Sequence, residues 1–175
     1  MKKRLLITLN LALMLVLMFA TTSFAMRCSL SDDDFNFTIT GANSFGVTLL
    51  DDVSILNDTM GTAISATNKT IEVPIVDYLY KDIAFHADES NRIVCITGSR
   101  IITSRGIKIG KSSSDVFNAY GNPDMVKSIR SAQRMLIYYG PNGKKLIFKV
   151  SSMFGPERVF DIQADVYPFS GDLRS

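Results

Sequence analysis

The chain has 175 residues, 46% of them apolar, with 19 basic and 17 acidic side chains, one histidine and two cysteines. Three of the basic groups are Lys2, Lys3 and Arg4, so 19 less three leaves 16 basic against 17 acidic groups beyond residue 25. That balance holds no surplus of positive charge for binding nucleic acid through its phosphates. One histidine and two widely separated cysteines exclude a His-rich or closely spaced Cys/His metal site, and no cofactor is expected.

In chain order, Lys2–Arg4 precedes the 16-residue apolar stretch Leu5–Ala20, and Ser23-Phe24-Ala25 places small residues at −3 and −1. Residues 1–25 therefore read as an export signal, cleaved after Ala25. The stretch is short for a membrane span, which needs roughly 20 residues, and an uncleaved anchor is the alternative. Arg27 before Cys28 does not suit a lipoprotein signal peptidase. The expected location is secreted or on the exterior of the cell envelope, touching the membrane only through the signal segment if it stays attached. Export permits a disulfide between Cys28 and Cys95, which the chain-entropy model values at roughly 4 kcal/mol. The alternative is a buried thiol at Cys95, between Val94 and Ile96, with Cys28 on a free arm.

Residues 26–34 read as a flexible arm in which Asp32-Asp33-Asp34 is solvated, since no calcium-loop ligand series follows. Phe35–Thr40 alternates like a strand. Leu49, Val53, Leu56 and Met60 recur at helical spacing, with Gly61 as a stop and Asp51-Asp52 complementing the helix dipole. Thr70–Val76, Tyr78–Phe85 and Arg92–Gly98 are β runs, and Ile101–Ile109 is a connector with some strand character. Ser112, Ser113 or Ser114 can cap a helix through Tyr120, ended by Gly121-Asn122-Pro123. Arg134–Tyr139, Lys144–Val150 and Arg158–Asp165 are further strands, with Pro141-Asn142-Gly143 as a turn.

The order repeats. Gly61 and Gly121, Phe85 and Phe148, Ile93 and Val159, and Ile96 and Ile162 lie 60, 63, 66 and 66 residues apart. The expected fold class is α+β, with two tandem units of short helices packed on an antiparallel meander, at 35–105 and 106–167 and a tail at 168–175.

Thr103-Ser104-Arg105-Gly106-Ile107-Lys108-Ile109-Gly110-Lys111-Ser112 with Val116, Tyr120, Gly121 and Pro123 carries a resemblance. It looks like the pattern of small exported bacterial proteins of the β-lactamase-inhibitor-protein-like fold and the related small outer-membrane-assembly lipoprotein fold. The resemblance implies a helix-loop-helix against an antiparallel sheet, in tandem in the inhibitor, with a sheet face available to another protein. No inhibitor contact residue transfers, because nothing outside the structural motif matches.

Gly106–Ser112 ends in Gly-Lys-Ser but has three residues between its glycines where a phosphate-binding loop needs four, so no nucleotide is expected. His86 reads as a strand-end residue; no nucleophile-elbow motif frames a serine for it. Three glycosylation sequons, at Asn36, Asn57 and Asn68, read as coincidental in a bacterial-looking export product. Tyr78, Tyr80, Arg134, Tyr138 and Lys149 form the candidate protein-binding surface, because tyrosine and arginine favour interfaces. The competing reading places at least half of those rings in the core. The function expected is an exported, non-catalytic protein-binding module whose partner is an extracellular or envelope protein. Alternatives are an inhibitor of a secreted hydrolase or β-lactamase, a cell-envelope assembly or structural factor, and an enzyme with an unrecognised site.

Overall fold

Leu146, Phe148 and Val150 alternate with Lys145, Ile147 and Lys149, giving that strand one apolar face and one mixed face. The computed structural model describes residues 28–41, 43–70 and 74–166. The expected export segment, with its expected cleavage after Ala25, and the expected tail at 168–175 lie outside the described residues. A 3-10 turn at Asp32–Phe35 leads into β1 (Asn36–Ile39), β2 (Phe45–Thr48) and α1 (Ser54–Met60). Then come β3 (Ser65–Thr70), β4 (Pro74–Tyr80), β5 (Ile83–Ala87), β6 (Ile93–Gly98) and β7 (Ile101–Thr103). The chain continues through α2 (Ser113–Tyr120), β8 (Met125–Arg130), β9 (Gln133–Tyr139), β10 (Lys144–Ser151) and β11 (Arg158–Val166).

Eight strands form one sheet in the order β3-β4-β5-β6-β11-β10-β9-β8, and three form a second in the order β2-β1-β7. All paired neighbours are antiparallel. One face of the large sheet presents Phe85, Ile96, Leu136, Tyr138, Phe148 and Ile162. Leu56 of α1, Val116 and Tyr120 of α2, and Phe37, Ile39, Val47 and Ile101 of the small sheet close over it in a single buried cluster. The opposite face carries a second buried group outside that cluster, Ile75, Asp77, Cys95, Ile137, Ile147 and Asp165.

The expected α+β layering is corrected by these strands. Two antiparallel sheets make up most of the fold, and α1 and α2 have only 7 and 8 residues. The helix expected from Leu49 starts late because the backbone there pairs with β6 instead. Leu50 N–H donates to Ile93 C=O at 2.8 Å, Ile93 N–H to Asp51 C=O at 2.9 Å, and Val53 N–H to Asn91 C=O at 2.9 Å. Leu50 itself has φ 79°, incompatible with a right-handed helix.

The two halves use the same bonds. Gly110 N–H donates to Val159 C=O, Val159 N–H to Lys111 C=O, and Ser113 N–H to Glu157 C=O, matching the three contacts just given. Phe85 faces Ile96, and Phe148 faces Ile162. Each hairpin then shifts register at a corresponding place, between His86 and Ala87 and between Lys149 and Val150. The halves meet where β6 pairs with β11, Cys95 opposite Asp165 and Gly98 opposite Ile162.

The arm expected to be mobile is pinned from Cys28 onward. Asp34 is 3% exposed, and its carboxylate takes two bonds from Arg105, Nε at 2.6 Å and Nη2 at 2.7 Å. Arg105 also donates to Ala119 C=O at 2.8 Å and lies over the Tyr120 ring at 4.8 Å. Asp32 accepts from Lys144 Nζ at 2.7 Å. Buried Asp34 thus locks the N-terminal turn onto the second half, and the ion pair of the exposed Asp32 with Lys144 adds to it.

Candidate functional site

The face of the large sheet away from the helices, buried along its middle and open at its rim of Leu79, Met125 and Tyr139, carries a row of cross-strand neighbours: Asp77, His86, Cys95, Asp165, Lys145 and Tyr139, one from each of β4, β5, β6, β11, β10 and β9. Period-two alternation sends them there. In β11, Asp161, Gln163 and Asp165 alternate with Ile162 and Ala164, which enter the core.

Polar groups in the middle of this face are paired laterally. Asp77 Oδ1 lies 2.6 Å from His86 Nδ1. Asp165, fully buried, takes Lys145 Nζ at 3.3 Å and Gln163 Nε2 at 3.0 Å. Asp161 Oδ2 accepts from Lys149 Nζ at 2.7 Å and Thr97 Oγ1 at 3.4 Å. Opposite charges set across neighbouring strands favour this register over a slipped one. Around the polar strip lie apolar side chains separate from the main core. Ile75, Ile137 and Ile147 are buried, while Leu79, Met125 and Tyr139 are exposed.

The row places an aspartate, a histidine and a cysteine side by side, the residue types of a cysteine nucleophile with its base and orienting acid. The environment opposes that chemistry. Burial, and then the Asp165 carboxylate, push the Cys95 thiol well above its ordinary range, so it is protonated at neutral pH. Among the described residues no three His, Cys, Asp or Glu side chains converge to hold a metal ion. What the face offers instead is a buried strip of laterally paired polar side chains with an apolar surround.

The surface expected from the sequence is divided between two faces. Tyr138 is 1% exposed and its hydroxyl donates to Gly121 C=O at 3.0 Å. Burial raises its phenol above the usual range, and raises Tyr80 in the same direction. Tyr78 and Tyr80 are half-buried against the core cluster. Arg134 shares the face beneath the helices and is held by Glu157 through two 2.7 Å bonds. The Arg134 guanidinium holds the Glu157 carboxyl below its ordinary value. Lys149 faces Met135 on the open side, because Val150 is the residue that pairs with Arg134. Those five residues therefore make no common patch.

Both cysteines are free: Cys28 is half-buried and Cys95 buried. The possible bridge between them is not formed, because they lie far apart. Cys95 points to the open face, whereas Arg105, beside which Cys28 sits, packs on α2 beneath the other.

The open-face residues Asp77, Lys145, Asp161, Gln163 and Asp165 were not singled out by sequence reasoning. The available signal was the polar parity of Asp161-Ile162-Gln163-Ala164-Asp165, a polar set on a strand otherwise deep in the protein.

No family model and no curated protein matches this chain. Among solved structures, similarity is found to a cysteine-rich secretory protein from Staphylococcus aureus subsp. aureus Mu50. The TM-score is 0.44 at 13% identity, covering 68% of this chain and 44% of that one. The chain thus spans less than half the length of that protein. No described helix is long and apolar enough to cross a membrane.

Proposed function

We propose that the chain is a non-catalytic binding module that works outside the cytoplasm and receives another protein on the open face of its eight-stranded sheet. The observation that carries this reading is the arrangement of layers. Both helices and the small sheet crowd onto one face, while the other has a buried polar middle and an exposed apolar rim of Tyr139, Met125 and Leu79. A partner meeting such a face gains apolar burial at the rim without having to strip an unpaired charge at the centre. The buried, protonated Cys95 thiol supports binding over nucleophilic catalysis.

The test begins with an envelope protein retained by the immobilised chain, repurified and titrated. Tyr139→Asp and Leu79→Asp are expected to weaken binding about tenfold or more, as loss of a buried anchor does. Asn118→Asp, on the exposed side of α2, is expected to leave it unchanged. Equal affinities for all three variants would remove the open face from the function.

A further inference from the structure

The second half carries a loop that its counterpart lacks. Between β5 and β6 the chain turns through Asp88-Glu89-Ser90-Asn91. Between β10 and β11 it runs through Ser152-Met153-Phe154-Gly155-Pro156-Glu157, with Phe154 99% and Met153 56% exposed. The strands beneath both loops keep the same ring pairs and register shifts, so the fold does not require the apolar tip. The loop has a fixed base: Ser152 N–H donates to Ala132 C=O at 3.0 Å, and Gln133 Nε2 to Met153 Sδ at 3.5 Å. Those bonds bring it beside the β8–β9 turn, where Ile129 and Arg130 are also exposed.

Charge divides the same way. Residues 108–115, 127–134 and 151–158, joined at this end by backbone pairing, hold six basic groups and two acidic ones, a net of +4. The first-half counterparts 48–55, 69–76 and 88–92 hold two basic groups and five acidic ones, a net of −3. Antiparallel pairing of β6 with β11 sends the β5–β6 and β10–β11 loops to opposite ends of the sheet. The molecule is therefore acidic at one end, and basic with a projecting apolar tip at the other.

We propose that the Met153–Pro156 tip enters the headgroup layer of an anionic lipid bilayer, with Arg130 and its basic neighbours on the lipid phosphates. An apolar wedge and a cationic collar together are the pair of weak signals that reversible lipid attachment needs, and neither suffices alone. The acidic end is repelled by the same surface, which orients the chain. This attachment is independent of the open-face reading, since the tip lies at the end of the sheet and not on that face.

The chain contains no tryptophan, so Phe154→Trp in the full chain makes a single fluorescent reporter of the tip, whatever the N-terminal segment does. With phosphatidylglycerol vesicles its emission is expected to shift to the blue and to be quenched by brominated acyl chains. With phosphatidylcholine vesicles it stays solvent-like. Adding Arg130→Glu is expected to weaken the phosphatidylglycerol response about tenfold, as is raising the salt to molar strength. Ile64→Trp, 75% exposed beside the opposite edge strand, is expected to report water throughout. A tip tryptophan that stays in water with phosphatidylglycerol overturns the proposal. So does equal quenching at positions 64 and 154, or a salt-sensitive dimer of the chain that buries position 154 without lipid.

Discussion

Tyr80 and Tyr138 hold the same place in the two halves. Each hydroxyl donates to the carbonyl of the glycine that ends the preceding helix, Gly61 at 3.3 Å and Gly121 at 3.0 Å. Each ring meets a phenylalanine edge-on, Phe85 at 6.0 Å and Phe148 at 5.9 Å between centroids. The rings join helix, sheet and core in each half, which is why neither is free to serve as an interface anchor.

The second copy is the more buried, and the hydroxyl deletions are expected to differ accordingly. Tyr138→Phe leaves the Gly121 carbonyl without its donor in a dry setting and is expected to cost about 1 kcal/mol. Tyr80→Phe exposes a longer bond to replacement by water and is expected to cost about half that. Denaturant unfolding of both variants measures the difference, and equal losses contradict it.

Leu50 and Gly110 are also equivalent, making matching bonds to Ile93 and Val159 with φ of 79° and 86°. A leucine there carries strain that glycine does not, of order 1 kcal/mol. Since Leu50 is 38% exposed, little packing is lost on removing it. Leu50→Gly is therefore expected to be neutral or to stabilise by up to about 1 kcal/mol, whereas Gly110→Leu destabilises. Melting temperatures of the two variants read the opposite signs.

Burial pushes the Asp34 carboxyl up, but hydrogen bonds from Arg105 and Ser31 outweigh it and hold the group below its ordinary value. A carboxyl lowered on folding stabilises the protein above its unfolded pKa, about pH 4. That contribution is lost as pH falls through the lower, folded value. Asp34→Asn is expected to lose about 3 kcal/mol at pH 7, because Arg105 keeps its charge beside a neutral amide. The loss shrinks below pH 4, as the unfolded chain's carboxyl takes up its proton, and vanishes once pH falls below the lower native value. Unfolding measured between pH 2 and pH 7 checks both the size and the direction.

Cys28 and Cys95 should be told apart by an aromatic disulfide reagent. Cys28 is half-buried, while Cys95 is 2% exposed and protonated. One thiol per folded chain is expected to react promptly, and the second only at the rate of opening or in denaturant. Prompt reaction of both thiols would contradict the placement of Cys95.

Much of the strand content was legible because Arg134–Tyr139, Lys144–Val150 and Arg158–Asp165 combine β-forming residues with clear turns. β3 and β8 were missed. Ser65–Thr70 is mostly polar, and all six residues of Met125–Arg130 are exposed, so edge position rather than burial dictates their composition. The segment at Leu49–Met60 has helical spacing, yet pairing to β6 claims its first turn. The site was less legible than the fold. Tyrosines suggested a surface, but facing is decided by one-residue parity and by which side the helices cover. Arg134 and Lys149, on adjacent strands, fall on opposite faces for that reason.

Protein binding on the open face is tested most directly by photo-crosslinking in the producing cell, with benzoylphenylalanine at position 139 or, separately, at 118. Tyr139 is 49% exposed on the open face, and Asn118 is exposed on α2 under the other. The expected result is one adduct of defined mass from position 139, none from 118, and competition by unmodified chain. An adduct from 118 alone, or none from 139, would contradict it.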